Sequence, residues 1–215
     1  MTPRRFSKAE ALQFGWTTTK SNLGFFIVVL IVVALIHLFP ILIADSLRAM
    51  PDLAAVIQFV TFVLSIVVYM GLIKITLLLC DNKHPQFAHL FSCFPLLLKY
   101  LLGSILYILI VLGGLVLLIL PGVVWAMKFY FYNYLIIDME LGPIEALKGS
   151  AAITKDARWE VLVFDLLVTA ITVLGLLALL VGLFLALPLT MIATAFVYRR
   201  LLAQSPQLER PSFSG

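Results

Sequence analysis

Uninterrupted apolar runs are the feature that most restricts what this 215-residue chain can fold into. A helix needs roughly 20 apolar residues to cross the ~30 Å hydrocarbon layer of a bilayer, and several runs reach that length. The run over 161–197 is too long for one crossing and long enough for two short ones. Because 63% of the chain is hydrophobic and 12% charged, an ordinary soluble domain is excluded.

The runs predict an all-α polytopic membrane bundle with six transmembrane helices in three hairpins. Turn signals at Pro51 and Pro121-Gly122, and the small residues before Pro188, separate the crossings. The predicted domain covers 1–203, and the polar segment 204–215 is expected to be a disordered cytoplasmic tail. The expected spans are 24–44, 53–79, 95–120, 123–139, 161–183 and 186–202.

Each hairpin is expected to follow an amphipathic helix that lies at the membrane interface. These helices begin near Ser7, Pro85 and Pro143, and Ser7 with Glu10 forms the S-x-x-E capping pattern. In the first helix the apolar face is expected to contain Ala9, Leu12, Trp16 and Leu23. An internal repeat is also predicted, because EAL and TK recur at identical spacing, first over 10–20 and again over 145–155.

The distribution of positive charge predicts the orientation of the bundle. Of the 15 Lys and Arg residues, 13 fall on one side if both termini are cytoplasmic, Arg48 falls on the other, and Lys128 lies within a span. Cytoplasmic loops of inner-membrane proteins carry such an excess. We therefore predict an inner-membrane protein with cytoplasmic N- and C-termini. The net charge of +4 lacks any nucleic-acid-binding pattern beside it, so no nucleic-acid partner is expected.

Polar side chains inside spans are the first candidates for a functional site, because burying them in lipid is costly. Lys128 lies near mid-bilayer in this arrangement, while Lys74 lies about 10 Å from the cytoplasmic edge. Asp165, five residues past Glu160, is similarly shallow. We expect Lys128 to face the interior and to be compensated by Asp165, with Tyr132 one turn away. The alternative is a structural ion pair or a snorkelling lysine without a ligand.

Other polar and small residues favour structural roles. The stripe Tyr130, Tyr134 and Asp138 is explained by helix packing and an interfacial aromatic belt. Cys80 and Cys93 are expected to be free thiols on the reducing side, with no metal or cofactor. Small residues at spacings of three and four along the fifth span predict that another helix approaches it closely, namely Gly175, Ala178, Gly182 and Ala186.

Three segments carry a resemblance to a known group of proteins: EALQFGWTTTKSNLGFF near the N-terminus, the LPG turn over 120–122, and EALKGSAAITK with the later PLTMIATAFVYRRL. Through them the chain resembles uncharacterised bacterial inner-membrane proteins related to the membrane domain of glycerophosphodiester phosphodiesterases. The resemblance implies a six-span module without an established activity. The sequence contains no phosphodiesterase domain, so that chemistry is not carried over to any residue.

Two functions are compatible with these features. The first is a non-enzymatic membrane protein that acts through anionic lipid headgroups or protein partners at its basic cytoplasmic face. A second copy of the chain, in a homo-oligomer, is one such partner. The second is a small transporter or channel with a polar site near Lys128. An enzyme is disfavoured, since no G-x-S-x-G, H-E-x-x-H or phosphate-binding-loop motif occurs.

Overall fold

A computed structural model of the chain describes residues 6–43, 50–205 and 208. All regular structure in these residues is helical, and two 3-10 helices, Phe87–Leu90 and Phe94–Leu96, precede α4. The α-helices are α1 Lys8–Ser21, α2 Leu23–Ile43, α3 Pro51–Cys80, α4 Leu97–Leu117, α5 Ile119–Lys128, α6 Tyr132–Met139, α7 Pro143–Ile153, α8 Arg158–Leu177 and α9 Leu179–Ala203. The expected tail begins after α9, and apart from Gln204, Ser205 and Leu208 it lies outside the described residues.

The described helices include five that are long and apolar enough to cross a membrane. They are α2, α3, α8, the segment Phe87–Leu117 that contains α4, and the part of α9 from Gly182 to Ala203. Many of their large side chains are exposed, such as Leu42 at 77% and Val116 at 86%. An apolar surface of this kind is suited to lipid rather than water. The chain is therefore an α-helical membrane protein.

The fourth expected span, 123–139, is divided into two short helices, α5 and α6. Two backbone groups at the division are bonded by the hydroxyls of Ser150 in α7 and of Thr154, the C-cap of α7. Ser150 Oγ accepts from the Phe131 N–H at 3.0 Å, and Ser150 and Thr154 donate to the Lys128 carbonyl at 3.2 and 2.9 Å. Because side chains elsewhere replace the missing helical bonds, the helix can break without leaving its polar groups bare in an apolar region.

Helix α1 begins as predicted, but it buries a different face. Ser7 is the N-cap and its Oγ accepts from the Glu10 N–H at 3.2 Å. The buried residues are Ala11, Gly15 and Thr19, rather than the face that contains Leu12 and Trp16. A Cβ at Gly15 would lie 2.7 Å from the Leu189 carbonyl oxygen of α9. The helix is thus packed on α9 through its small residues, because these allow the two backbones to approach closely.

The other two expected interfacial helices also differ from the prediction. The segment from Pro85 to Phe94 forms 3-10 turns instead of an α-helix, and it is held against α3 where Leu90 meets Gly71. Helix α7 begins with Pro143, and the Gly142 N–H donates to Glu145 at 3.2 Å. This helix belongs to the core rather than the surface, since Ala146, Leu147, Gly149, Ser150 and Ile153 are all buried.

Small residues bring consecutive helices together. A Cβ at Gly175 would lie 2.6 Å from the Ala186 Cβ, and one at Gly182 would lie 2.4 Å from the Gly175 carbonyl oxygen. The α4–α5 connection uses the same device, because a Cβ at Gly114 would lie 2.8 Å from the Gly122 Cα. The close approach of another helix to the predicted fifth span is confirmed, and the structure shows that this helix is α9. The contact positions the polar residues that α8 and α9 contribute to a cavity.

Candidate functional site

A cavity of about 460 Å³ lies between α3, α4, α6, α8 and α9. Its most unusual property is its tyrosine content, because six of the seven tyrosines in the chain line it. Asp165, Asn133 and four threonines add polar groups to a wall that otherwise consists of Val168, Val173 and Met191. The lining tyrosines are Tyr69, Tyr100, Tyr107, Tyr130, Tyr132 and Tyr134.

The division between α5 and α6 places three of these tyrosines on the cavity wall. Tyr130 lies in the division itself, whereas Tyr132 and Tyr134 lie in the first turn of α6. The Tyr132 ring stacks on the Tyr107 ring of α4, with 4.9 Å between centroids and 22° between planes. The Tyr132 hydroxyl donates to Ser104 Oγ at 3.0 Å. These contacts fix the wall on the side of α4.

Asp165 supplies the carboxylate of the cavity. It lies seven residues after the start of α8, about 10 Å along the helix axis, and its Oδ1 accepts from the Tyr130 hydroxyl at 2.8 Å. No ion pair to Asp165 is formed within the described part of the chain. The described residues that line the cavity include no Lys, Arg or His. The carboxylate therefore faces a polar lumen without a basic partner on the lining.

Three of the four cavity threonines donate their hydroxyl protons within their own helices. Thr172 donates to the Val168 carbonyl at 2.9 Å, Thr190 to the Ala186 carbonyl at 2.8 Å, and Thr194 to the Thr190 carbonyl at 2.8 Å. Such back-bonding satisfies the hydroxyl as a donor and leaves its oxygen lone pairs available. The threonine side of the cavity therefore offers hydrogen-bond acceptors.

The residues predicted for an intramembrane site are divided between two places. Asp165 and Tyr132 line the cavity together. Lys128 lies in a separate groove of α4 and α5, with its Nζ 5.0 Å from the centre of the Phe129 ring, and the described contacts contain no Lys128–Asp165 ion pair. Lys74 is half-buried on α3 and does not line the cavity. The carboxylate and the tyrosine were predicted together, but Tyr130 is the hydrogen-bond partner of Asp165.

A second polar cluster, absent from the sequence predictions, joins the ends of α3, α6 and α9. Arg199 donates from Nη2 to Asp81 Oδ2 at 2.8 Å and to Asp138 Oδ1 at 3.0 Å, and from Nη1 to Asp138 Oδ2. The Tyr198 hydroxyl also donates to Asp138, at 3.0 Å. The signal for it was the presence of opposite charges at the same end of the fourth and sixth predicted spans. Both terminal nitrogens of the guanidinium, the two carboxylates and the Tyr198 hydroxyl are bonded within this cluster, which indicates a structural clasp.

The basic face that was expected to meet lipid headgroups is partly engaged within the protein. Arg200 pairs with Glu10, Arg199 belongs to the clasp, and Lys99 Nζ donates to the Glu140 carbonyl at 2.8 Å. Lys20, Lys148 and Lys155 remain exposed. These engagements reduce the charge available to an anionic surface, so the cavity is the stronger candidate for a site.

Metal-binding chemistry has no support in the described residues, which contain no group of three His, Cys, Asp or Glu side chains able to hold an ion. Cys80 and Cys93 are free thiols.

No protein-family model, no curated protein and no solved structure matches the chain.

Proposed function

We propose that this chain is a non-enzymatic inner-membrane protein that admits a small solute into the tyrosine-lined cavity, as a transporter or channel does. The observation that supports this proposal is a polar cavity with a carboxylate, Asp165, among helices whose outer surface is apolar. Ionisable groups at membrane depth are costly and generally mark a ligand or ion path. Among the residues described on the lining there is no His, Cys or Lys to activate a nucleophile, which favours binding over catalysis.

The proposed architecture has six crossings, with α5 and α6 together forming the fourth. Helices broken at membrane depth are typical of transporters, where the break lines a cavity. Here the break contributes Tyr130 and lies beside Tyr132, both of which line the cavity. In this arrangement the hairpins are α2 with α3, α4 with the divided pair, and α8 with α9.

An internal repeat accounts for part of this architecture. Helices α1 and α7 begin at Lys8 and Pro143, and α2 and α8 begin at Leu23 and Arg158, so both pairs of starts are separated by 135 positions. The buried stripe of α1, which contains Ala11, Gly15 and Thr19, corresponds at the same separation to buried residues Ala146, Ser150 and Thr154. We infer that the first and third units derive from one ancestral helix–hairpin unit.

Both termini are proposed to be cytoplasmic, from the charge bias of 13 to 1 among the counted Lys and Arg residues. A green fluorescent protein fused after residue 215 is then expected to fluoresce in a bacterial host. Alkaline phosphatase inserted at Arg48 is expected to be active. A dark C-terminal fusion together with an inactive insertion contradicts this orientation, provided that control fusions of known orientation give their expected signals in the same host.

Access of water-borne solutes to the cavity can be measured by cysteine labelling. In a chain whose Cys80 and Cys93 are replaced by alanine, Thr172→Cys places a thiol on the cavity wall. We expect it to react with the uncharged hydrophilic reagent hydroxyethyl methanethiosulfonate, because a polar cavity of this size holds water. The matched control is Thr76→Cys, whose side chain is fully buried on α3 outside the cavity and is expected to stay unreactive. If the thiols of Thr172→Cys and Thr76→Cys are both unreactive toward the reagent in the folded protein, the proposed function is contradicted.

A further inference from the structure

We propose that the solute bound in the tyrosine-lined cavity is an organic cation with an ammonium group. The inference rests on the proposed function and adds the chemical class of the ligand. It follows from the geometry of the lining, which combines one carboxylate, oriented hydroxyl groups and aromatic rings.

The first step concerns net charge. Asp165 is the single ionisable acid on the described lining, and no basic side chain lies on it. Its hydrogen bond from Tyr130 supplies one donor to a carboxylate that accepts at several positions. A cation in the lumen would complete the neutralisation of this charge, whereas an anion would meet the same carboxylate in a region of low dielectric constant.

The second step concerns hydrogen-bond polarity. Six lining hydroxyls donate to acceptors of the protein itself, so their protons are already engaged: those of Tyr107, Tyr130, Tyr132, Thr172, Thr190 and Thr194. Asn133 differs, because its Oδ1 accepts from the Tyr134 N–H and its amide NH₂ is left as a donor. The hydroxyls of Tyr69, Tyr100 and Tyr134 can act in either role. The described lining therefore presents more oxygen lone pairs than polar hydrogens to the lumen, which favours a positively charged ligand over an anion.

The third step separates an organic cation from a metal ion. Hard metal ions such as Ca²⁺ require six to eight oxygen ligands at close range, and the described residues contain no acidic or His/Cys cluster that could supply a metal site. Electron-rich aromatic faces attract ammonium groups, and aromatic cages with a carboxylate recognise them. At about 460 Å³ the cavity falls within the range typical of small-molecule sites.

Calorimetric titration of the full chain in nanodiscs tests this inference with two probes of equal shape. Choline carries the charge, and 3,3-dimethylbutan-1-ol is its uncharged isostere. We expect choline to bind at least about tenfold more tightly than the alcohol. Asp165→Asn is expected to weaken choline binding by at least about tenfold, whereas Asp156→Asn, an exposed acid outside the cavity, leaves it unchanged.

The outcomes separate this inference from the proposed function. Equal binding of choline and the alcohol overturns the preference for a cation while the cavity remains a solute site. Binding of neither probe also overturns it, and the labelling of Thr172→Cys then decides whether solutes enter at all. The comparison of the two probes uses the native chain, so the inference stays testable even if Asp165→Asn fails to fold.

Discussion

Replacing Arg199 with methionine is expected to lower the free energy of unfolding by about 3–5 kcal/mol. The side chain of Arg199 is 15% exposed and that of its partner Asp138 is 7% exposed, so the pair is nearly removed from solvent. Methionine retains much of the apolar stem but leaves the two carboxylates without the guanidinium between them. The measurement is reversible unfolding of the detergent-solubilised chain, followed by its tryptophan fluorescence.

The neighbouring arginine is a matched control for this change. Arg200 pairs with Glu10, but the two side chains are 52% and 49% exposed. An exposed pair of this kind contributes within about 1 kcal/mol, so Arg200→Met is expected to have a small effect. If the two substitutions lowered the free energy of unfolding by similar amounts, the buried clasp between α3, α6 and α9 would contribute no more stability than an exposed ion pair.

Gly71→Ala is expected to destabilise the chain by about 1–3 kcal/mol or more, because it overpacks a backbone contact. A Cβ at Gly71 would lie 2.2 Å from the Leu90 carbonyl oxygen and 2.4 Å from the Leu90 Cα. Backbone atoms cannot rotate away as a side chain can, so the 3-10 turn that contains Leu90 would have to move from α3. Thermal unfolding of the purified variant in detergent measures the loss.

Gly113→Ala is the corresponding control within α4. A Cβ there would meet no atom within 4 Å, and alanine is the better helix former by about 1 kcal/mol. We expect this variant to be as stable as the native chain or slightly more stable. If Gly71→Ala unfolds at the same temperature as Gly113→Ala, the close packing of the 3-10 turn on α3 is contradicted.

The apolar runs were sufficient to predict an all-helical membrane protein, because the length and hydropathy of a crossing depend on local sequence alone. The division of the fourth expected span could not be predicted in this way. Phe129, Tyr130 and Phe131 are as compatible with a continuous helix as their neighbours, and the break depends on hydroxyls from Ser150 and Thr154. Contacts between distant segments of this kind leave no periodic pattern.

The polar site was predicted in part for a related reason. Depth along a helix follows from residue number, so Asp165 and Tyr132 were both expected in the interior, and both line the cavity. The rotation of each helix about its axis is set by packing and cannot be read from residue number. As a result, Lys128 lies in a groove beside α4 and not beside Asp165. The six tyrosines come from three segments of the chain, at 69, 100–107 and 130–134, and their shared location follows from tertiary structure that no single segment encodes.

For the first interfacial helix, the pattern of large apolar residues predicted the wrong buried face. Leu12 and Trp16 suggested the buried face of α1, yet Ala11, Gly15 and Thr19 are the residues in contact with α9. Large apolar residues have a different role in a membrane protein, because lipid can solvate them as well as protein can. Close helix packing therefore selects the small face.

The most direct test of the account compares the rates at which charged reagents modify Thr172→Cys in the background without native cysteines. Trimethylammonium-ethyl methanethiosulfonate is cationic and sulfonatoethyl methanethiosulfonate is anionic. We expect the cationic reagent to react at least about tenfold faster, after each rate is divided by the rate of the same reagent with a free thiol in solution. Asp165→Asn should remove most of that difference, because the carboxylate is the source of the negative potential. An anionic reagent that reacts as fast as the cationic one in the native cavity would contradict the claim that this cavity is built for a cation.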